Sequence, residues 1–276
     1  MKKSQLLKYI LTVLFLALGI TMLFPLLWMI STSFKVEADV FEFPVKLIPS
    51  RSNGFDNYRQ VWGKGYNFAL YYWNSIKIAV ASTVLQVFLS SLGAYGFSKI
   101  RWKWRDRIFM LYLATMMIPS QVTLISRFLI LREIHLYNTH LGLIIMASFS
   151  VYGVFLLRQN MMQIPESLSE SARIDGANHW QIYSGIIMPL VKPAVATLAI
   201  LKFVWTWNDY QNPLVFLNTR ELFTIPLGIK EFASETGTFY SLNMAAAVCA
   251  IIPLIIVFLF GQRYIVDGIT SGAVKE

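Results

Sequence analysis

Charge is what this chain has least of: Asp, Glu, Lys and Arg make up 14% of its 276 residues, against 56% hydrophobic and a mean hydropathy of +0.53. So little charge excludes an ordinary soluble domain and leaves a chain whose surface is completed by lipid. Cysteine is scarcer still. Cys249 alone, inside an apolar run, excludes a disulfide framework and a thiolate metal site. His135, His140 and His179 are scattered without ligand spacing, and no nucleophile–base constellation appears, so the equipment of a membrane enzyme is missing. There is no internal repeat, and Asp209 is the one carboxylate near an apolar run; an ion-coupled secondary transporter calls for intramembrane carboxylates, usually in repeated halves. The surplus that does exist has one sign, a formal net charge of +9. In a membrane chain that surplus is loop charge, which sets orientation, rather than a nucleic-acid surface.

Six apolar stretches approach the ~20 residues that a bilayer crossing needs: about 9–31, 71–96, 108–131, 141–158, 190–211 and 242–260. The first follows Lys2, Lys3 and Lys8, is too long for a signal-peptide core and lacks a small-residue cleavage site, so it reads as a retained span kinked at Pro25. The predicted class is an all-α integral membrane protein with residues 1–276 as one transmembrane domain and both termini on one side. Segments 1–8, 97–107, 158–192 and 261–276 carry 13 Lys and Arg against six acids, whereas 32–70, 132–139 and 212–241 carry 8 against eight. The positive-inside rule therefore puts the termini and the 161–189 segment in the cytoplasm. Lys99, Arg101, Lys103, Arg105 and Arg107, interleaved with Trp102 and Trp104, read as an interfacial anchor.

Polar groups at membrane depth are functional candidates by default. Lys77 and Arg127 sit toward the outer ends of their spans and can snorkel. Lys202, ~16 Å up a helix from Lys192, lies near the midplane and either lines a path or contacts a partner subunit. Asp209 is ~10 Å further on the same face, too far for a direct pair. Pro119, Gln121 and Thr123 interrupt the third span, freeing backbone groups that must face protein or water. Trp205, Trp207, Asn208 and Asp209 combine aromatic rings with an amide and a carboxylate, suited either to sugar recognition or to an interfacial belt.

Between the fourth and fifth spans lies a polar, glycine-broken segment, 161–189. Pro165 and Glu166 open a helix, Glu170 follows one turn later, and Asp175 with Gly176 stops it, since glycine takes the left-handed cap conformation readily. Ser171, Ala172 and Ala177 are small enough for another backbone to approach, and Ile174, Trp180, Ile182 and Tyr183 are read as apolar anchors for a groove. The shape is a knuckle on which something docks.

The spacing Glu170, Ser171, Ala172, Gly176, Ile186, Met188 and Pro189 resembles the signature loop of ABC importer membrane subunits, with Ser171 for alanine and Met188 for leucine. Together with Thr32 to Lys35, the Pro119 stretch, Trp207-Asn-Asp209 and the tail Gln262 to Lys275, the likeness extends to the maltose-type carbohydrate permeases over almost the whole chain. It departs from them at Ser126 and His135, where proline and glycine are expected. The resemblance implies a non-enzymatic permease subunit in the cytoplasmic membrane that forms half of a pore, with Glu170, Ser171, Ala172, Asp175, Gly176, Ala177, Ile186 and Pro189 coupling to an ATPase. Its partners would be a second homologous permease, two cytosolic ATPases that bind the ATP and Mg, and an extracytoplasmic sugar-binding protein. This chain has no Gly-x-x-x-x-Gly-Lys-Ser/Thr phosphate loop, so it carries no nucleotide cofactor of its own. Carbohydrate is the expected cargo, with glycerol-3-phosphate or another polar solute as the alternative. The loop from Gln211 to Ser241 lacks periodicity and is expected to receive the binding protein through Phe232, Ser234, Thr236, Phe239 and Tyr240. The tail Gly268–Lys275 is expected to be an extended cytoplasmic insert.

Overall fold

Helix dominates because apolar runs in lipid leave the backbone no better way to satisfy its N–H and C=O groups. The computed structural model describes residues 3–63, 65–234 and 237–270. In chain order these form α1 (Lys3–Ser33), α2 (Asp56–Val61), α3 (Phe68–Ser98), α4 (Arg105–Ala114), α5 (Leu124–Glu133), α6 (His140–Ala147) and α7 (Val151–Met162). There follow α8 (Glu166–Ile174), α9 (His179–Ile182), α10 (Met188–Leu190), α11 (Lys192–Trp207), α12 (Gln211–Phe216), α13 (Ile225–Gly228) and α14 (Tyr240–Thr270). Ahead of α14, β1 (Ala233–Ser234) pairs antiparallel with β2 (Gly237–Thr238), Ala233 opposite Thr238.

Among the described residues, three helices are long and apolar enough to cross a membrane, over Leu7–Ser33, Phe68–Ser98 and Tyr240–Tyr264. Two bent pairs raise the count to five: α6 with α7 at 40°, and His179–Leu190 with α11 at 78°. The expected fourth span, 141–158, is thus two helices, because Ser150 opens a new one by accepting the Gly153 N–H at 3.0 Å. The expected third span, 108–131, is not one helix either. After α4 and a 3-10 turn (Thr115–Met117) the chain is extended at Ile118, since the residue before Pro119 is pushed out of the helical region, and α5 starts only at Leu124. The segment 211–241 is not patternless but a series of short elements, and the end of the chain is helical as far as Thr270, with 271–276 outside the described residues.

The chain divides into two compact units. The first comprises residues 1–70 and 228–252. Its α1 presents an apolar surface of which no part is buried within the chain over its spanning window. Beyond α1 the chain folds back on itself: Asn57 Nδ2 donates to the carbonyls of Ser33 and Lys35 at 2.9 Å, and Arg51 holds Asp39 through two nitrogens. Glu37 accepts from the N–H groups of Tyr240 and Ser241, both at 2.8 Å, and so caps α14 where the helix dipole favours an anion. Phe68 and Phe232 are buried with ring centroids 6.4 Å apart, and Val40, Val61 and Leu242 are buried in the same unit.

The second unit comprises 71–227 and 253–276. Its core gathers Ala94 and Tyr95 of α3, Phe109 of α4, Leu157 and Met161 of α7, and Ala194 and Leu198 of α11. Gly153 lets three helices meet, since a Cβ there would lie 2.6 Å from Ser90 Oγ and 3.3 Å from Leu198 Cδ2. The chain after α12 is tied down by α3: Asn74 Nδ2 donates to the carbonyls of Glu221 at 2.8 Å and Phe223 at 3.0 Å, and Ser75 Oγ accepts the Ile225 N–H at 2.8 Å.

Candidate functional site

Two places in the second unit concentrate polar function: the knuckle, and the break at Pro119 with the small cavity lined by Arg127 and Asp209. In the knuckle, α8 ends in a Schellman turn, with the Gly176 N–H donating to the Arg173 carbonyl at 3.0 Å and the Ala177 N–H to the Ala172 carbonyl at 2.9 Å. Gly176 has φ +84°, the left-handed conformation expected of it, and a Cβ there would meet nothing within 4 Å. The next helix starts at once. Asn178 Oδ1 accepts the Gln181 N–H at 2.9 Å and Gln181 Oε1 accepts the Asn178 N–H at 2.8 Å, a complete capping box. After α9 the backbone widens into a π-helical turn, Tyr183–Ile187, and then bends into α11.

The elbow has two faces. Glu170, Ser171, Asp175, Gly176 and Pro189 are exposed, with Ile174 at 87% and Trp180 at 58% the apolar side chains most open to a partner. Ile182 and Tyr183, read from sequence as docking anchors, are instead 1% and 5% exposed, because the amphipathic turn directs them into their own core. Ala172, Ala177 and Ile186 pack against that same core and are half-buried. The Tyr183 hydroxyl shares a 2.7 Å hydrogen bond with Ser91 Oγ, and the Tyr95 hydroxyl lies 3.2 Å from His179 Nδ1, so α3 grips the elbow directly.

Sequence reasoning missed the residues that fasten this elbow. Lys99 is buried, and its Nζ donates to the Ile164 carbonyl at 2.7 Å, just ahead of α8; burial holds its pKa below the ordinary lysine value. Arg158 of α7 donates through Nε to the Phe97 carbonyl and through a terminal nitrogen to Asp106, both at 3.0 Å, with its guanidinium 4.1 Å from the centroid of the Phe109 ring. Trp102 Nε1 adds a bond to the Gly96 carbonyl at 3.2 Å. The orphan carbonyls at the end of α3 are therefore capped by side chains, two of them cationic, Arg158 on Phe97 and Arg105 on Ser98 at 3.4 Å, where the helix dipole is negative. The available signal was Arg158 itself, a charge at the end of a span.

At the other place, the break at Pro119 is held open by side chains. Arg127 donates to the Ser120 carbonyl at 2.7 Å and Thr123 Oγ1 to the same carbonyl at 3.0 Å, while Pro119 and Gln121 are exposed. Arg127 does not simply snorkel outward. It also lines a cavity of about 50 Å³ whose polar lining is Ser75, Arg127, Thr206, Asp209, Asn212 and Thr224. Arg127 Nε, Thr206 Oγ1 and Thr224 Oγ1, on residues that line it, are buried without a hydrogen-bond partner among the described residues. The space is large enough, and polar enough, for ordered water to bridge them. Asp209 accepts from Asn212 through both oxygens, at 3.1 Å from the backbone N–H and 2.6 Å from Nδ2, rather than from Lys202. Lys202 is buried on α11, Trp205 is exposed with its ring 5.8 Å from that of Tyr152, and Asn208 caps the helix by donating to the Val204 carbonyl at 2.9 Å.

A second feature escaped the sequence reading. Ser82, Gln86 and Ser90 recur at helical spacing on α3 and are buried, and Ser82 Oγ, Gln86 Nε2 and Ser90 Oγ have no hydrogen-bond partner among the described residues. The four-residue spacing of polar groups in an apolar helix was the signal available.

Of the residues expected to meet a binding protein, Phe239 and Tyr240 are exposed. Phe232 is a correction: it is 1% exposed, its ring packed 4.6 Å from Tyr66 and 6.4 Å from Phe68, so it supports the fold of the first unit rather than offering a contact. Ser234 lies in β1, and Thr236 falls outside the described residues.

Residues 86–271 match the family described as binding-protein-dependent transport system inner membrane component. The chain is 34% identical over 266 residues to the arabinooligosaccharides transport system permease protein AraQ of Bacillus subtilis (strain 168), covering 96% of this chain and 95% of that one. It is also 34% identical over 278 residues to the probable starch degradation products transport system permease protein AmyC of Thermoanaerobacterium thermosulfurigenes, covering 100% of both. Among solved structures it is similar to a chain of a bacterial ABC transporter involved in the import of the acidic polysaccharide alginate, with a TM-score of 0.86 and 27% identity over 96% of this chain and 98% of that one.

Proposed function

The chain belongs to the binding-protein-dependent transport system inner membrane components, a family of multi-pass permease subunits, and on that premise we propose that it forms half of the pore of an ATP-driven carbohydrate importer. The observation that carries the reading is the elbow itself: a rigid turn fixed by a Schellman motif and a capping box, fastened to α3, with Glu170, Ile174 and Trp180 exposed. A soluble ATPase subunit grips that surface, so ATP and Mg are bound on the partner polypeptide. Closure of two such ATPases moves this elbow and its counterpart on a second, homologous permease, and the pore opens outward to take sugar from an extracytoplasmic binding protein. The ATPase need only hold the elbow more tightly in one pore state than in the other.

In this reading all 276 residues serve as one transmembrane domain with six spans, α4 and α5 together making the third, and both termini lie in the cytoplasm. Coupling falls to Glu170, Ser171, Asp175, Gly176 and Pro189 at the surface, with Ala172, Ala177 and Ile186 seating the elbow. Lys202, Trp205, Asn208 and Asp209, with Pro119, Gln121 and Thr123, line the route. What supports a sugar cargo is the exposed Trp205 ring beside the Asn208 amide, together with relatives named for oligosaccharide transport.

Gly176→Val tests the elbow. A β-branched residue forced to φ +84° costs roughly 1–3 kcal/mol of backbone strain, and since open space surrounds the position the damage is conformational rather than steric. Uptake of labelled oligosaccharides should fall to background, and the ATPase should no longer co-purify, while membrane insertion is unchanged. Gly176→Asn, which tolerates the left-handed region, should keep much of the activity. Wild-type uptake by the valine variant would overturn the assignment.

A further inference from the structure

The basic, Trp-bearing segment between α3 and α4 has more structure than an interfacial anchor requires. Residues 101–107 line a cleft of about 530 Å³, and a second depression of about 570 Å³, lined by Asp106, Arg107, Met110 and Leu111, adjoins it along α4. The two share Asp106 and Arg107, so a cationic chamber leads into an apolar groove on a helix assigned to the membrane.

Charge in the chamber is unbalanced. Its one carboxylate, Asp106, is already engaged by Arg105 at 3.2 Å and Arg158 at 3.0 Å, and these cations hold its pKa below the ordinary carboxylate value. Arg101 lies a loose 3.9 Å from Glu166. Lys103 and Arg107 have no carboxylate partner among the described residues and sit against the Trp104 ring, 5.8 and 4.7 Å from its centroid. Stacking on an aromatic face holds a guanidinium in place while leaving its N–H groups free for an anion. Below them, Met110 and Leu111 are 67% and 70% exposed.

We propose that this chamber and groove bind one anionic phospholipid, its phosphate against Lys103 and Arg107 and an acyl chain along Met110 and Leu111. The occupant follows from the layout. A soluble acidic protein would satisfy the cations but could not follow the groove into hydrocarbon, and a neutral helix would fill the groove but leave the cations unpaired; an anionic lipid does both. The inference concerns a surface separate from the elbow and does not depend on the cargo.

Native mass spectrometry of the full-length protein, released from nanodiscs of mixed phosphatidylglycerol and phosphatidylcholine, reads the site directly. Wild type should retain one phosphatidylglycerol in preference to phosphatidylcholine. Each cation near anionic headgroups contributes roughly fivefold, so the pair Lys103→Gln and Arg107→Gln should lower that retention by about an order of magnitude or more. Leu111→Trp, which fills the groove and keeps every charge, should lower it as well, and the exchange Lys103→Arg with Arg107→Lys should preserve it. Inorganic phosphate should not displace the bound lipid at millimolar concentration. Equal retention of both lipids, full retention in the Gln pair, or full retention in Leu111→Trp would each overturn the proposal. Displacement by inorganic phosphate would reassign the chamber to a simple anion site.

Discussion

Arg127 is a charge near membrane depth whose two roles conflict unless both are met. One terminal nitrogen holds the Ser120 carbonyl freed by the Pro119 break, and the same side chain lines the small cavity that Asp209 also lines. The two charges line one small cavity, so removing either leaves the other there with less opposite charge to offset its desolvation, and single removals cost more than the removal of both. Arg127→Gln and Asp209→Asn should therefore each lower the stability of the purified protein. The double variant should lose less than the two combined, with a coupling between about 0.5 and 3 kcal/mol. Thermal unfolding of the four proteins measures it. Additivity within about 0.5 kcal/mol would show that the cavity does not join the two groups.

Among the elements, the stretch from Phe34 to Tyr58 is the clearest case of a loop with its own architecture. Asp39 is held by Arg51, and Glu42 accepts from Lys46 at 2.8 Å and Ser50 at 2.8 Å. These hydrogen bonds keep both carboxyl groups below their ordinary values, Arg51 acting on Asp39 and Lys46 on Glu42. A lowered carboxylate pKa stabilises the fold above the unfolded value, about 4, and that contribution disappears as pH falls through the folded value. Hydrogen exchange over residues 35–54, corrected for intrinsic rate, should thus be flat from pH 8 to pH 5 and rise below about pH 4. Asp39→Asn should show the loosened pattern already at pH 7; full protection in that variant would refute the pairing as the cause. None of this was legible from sequence, where the stretch read as irregular, because the Asp39–Arg51 pair spans twelve residues and no helix carries the Glu42–Lys46 spacing. The segment after α12 escaped for a similar reason: Asn74 and Ser75 hold it from almost 150 residues away. The elbow was legible because its determinants are local, a glycine at a left-handed position and a cap next to it, yet the same local reading sent Ile182 and Tyr183 outward when tertiary packing turns them in. Pro119 announced a break but not its length, which Arg127 sets by stabilising the open backbone.

At the scale of the molecule, two facts demand a surrounding that the chain does not supply: α1 buries none of its spanning window within the chain, and cations outnumber acids only on one set of loops. The first is met by lipid, and the second is the charge asymmetry that orients a multi-pass membrane protein. The second can be tested directly, because Cys249 is the single cysteine and is buried, with Trp62 Nε1 donating to its Sγ at 3.4 Å. In a Cys249→Ser background, Ile174→Cys on the exposed tip of the elbow should react with a membrane-impermeant thiol reagent only in inverted vesicles, and Thr219→Cys, exposed beyond α12, only in intact cells. The separation between these positions is then one odd number of membrane crossings, α11 serving as the single span between them. Labelling of both from the same side would remove α11 as a span and with it the six-span arrangement. Labelling of each from the side opposite to that expected would keep the spans and invert the protein, placing the elbow where no cytosolic ATPase can reach it.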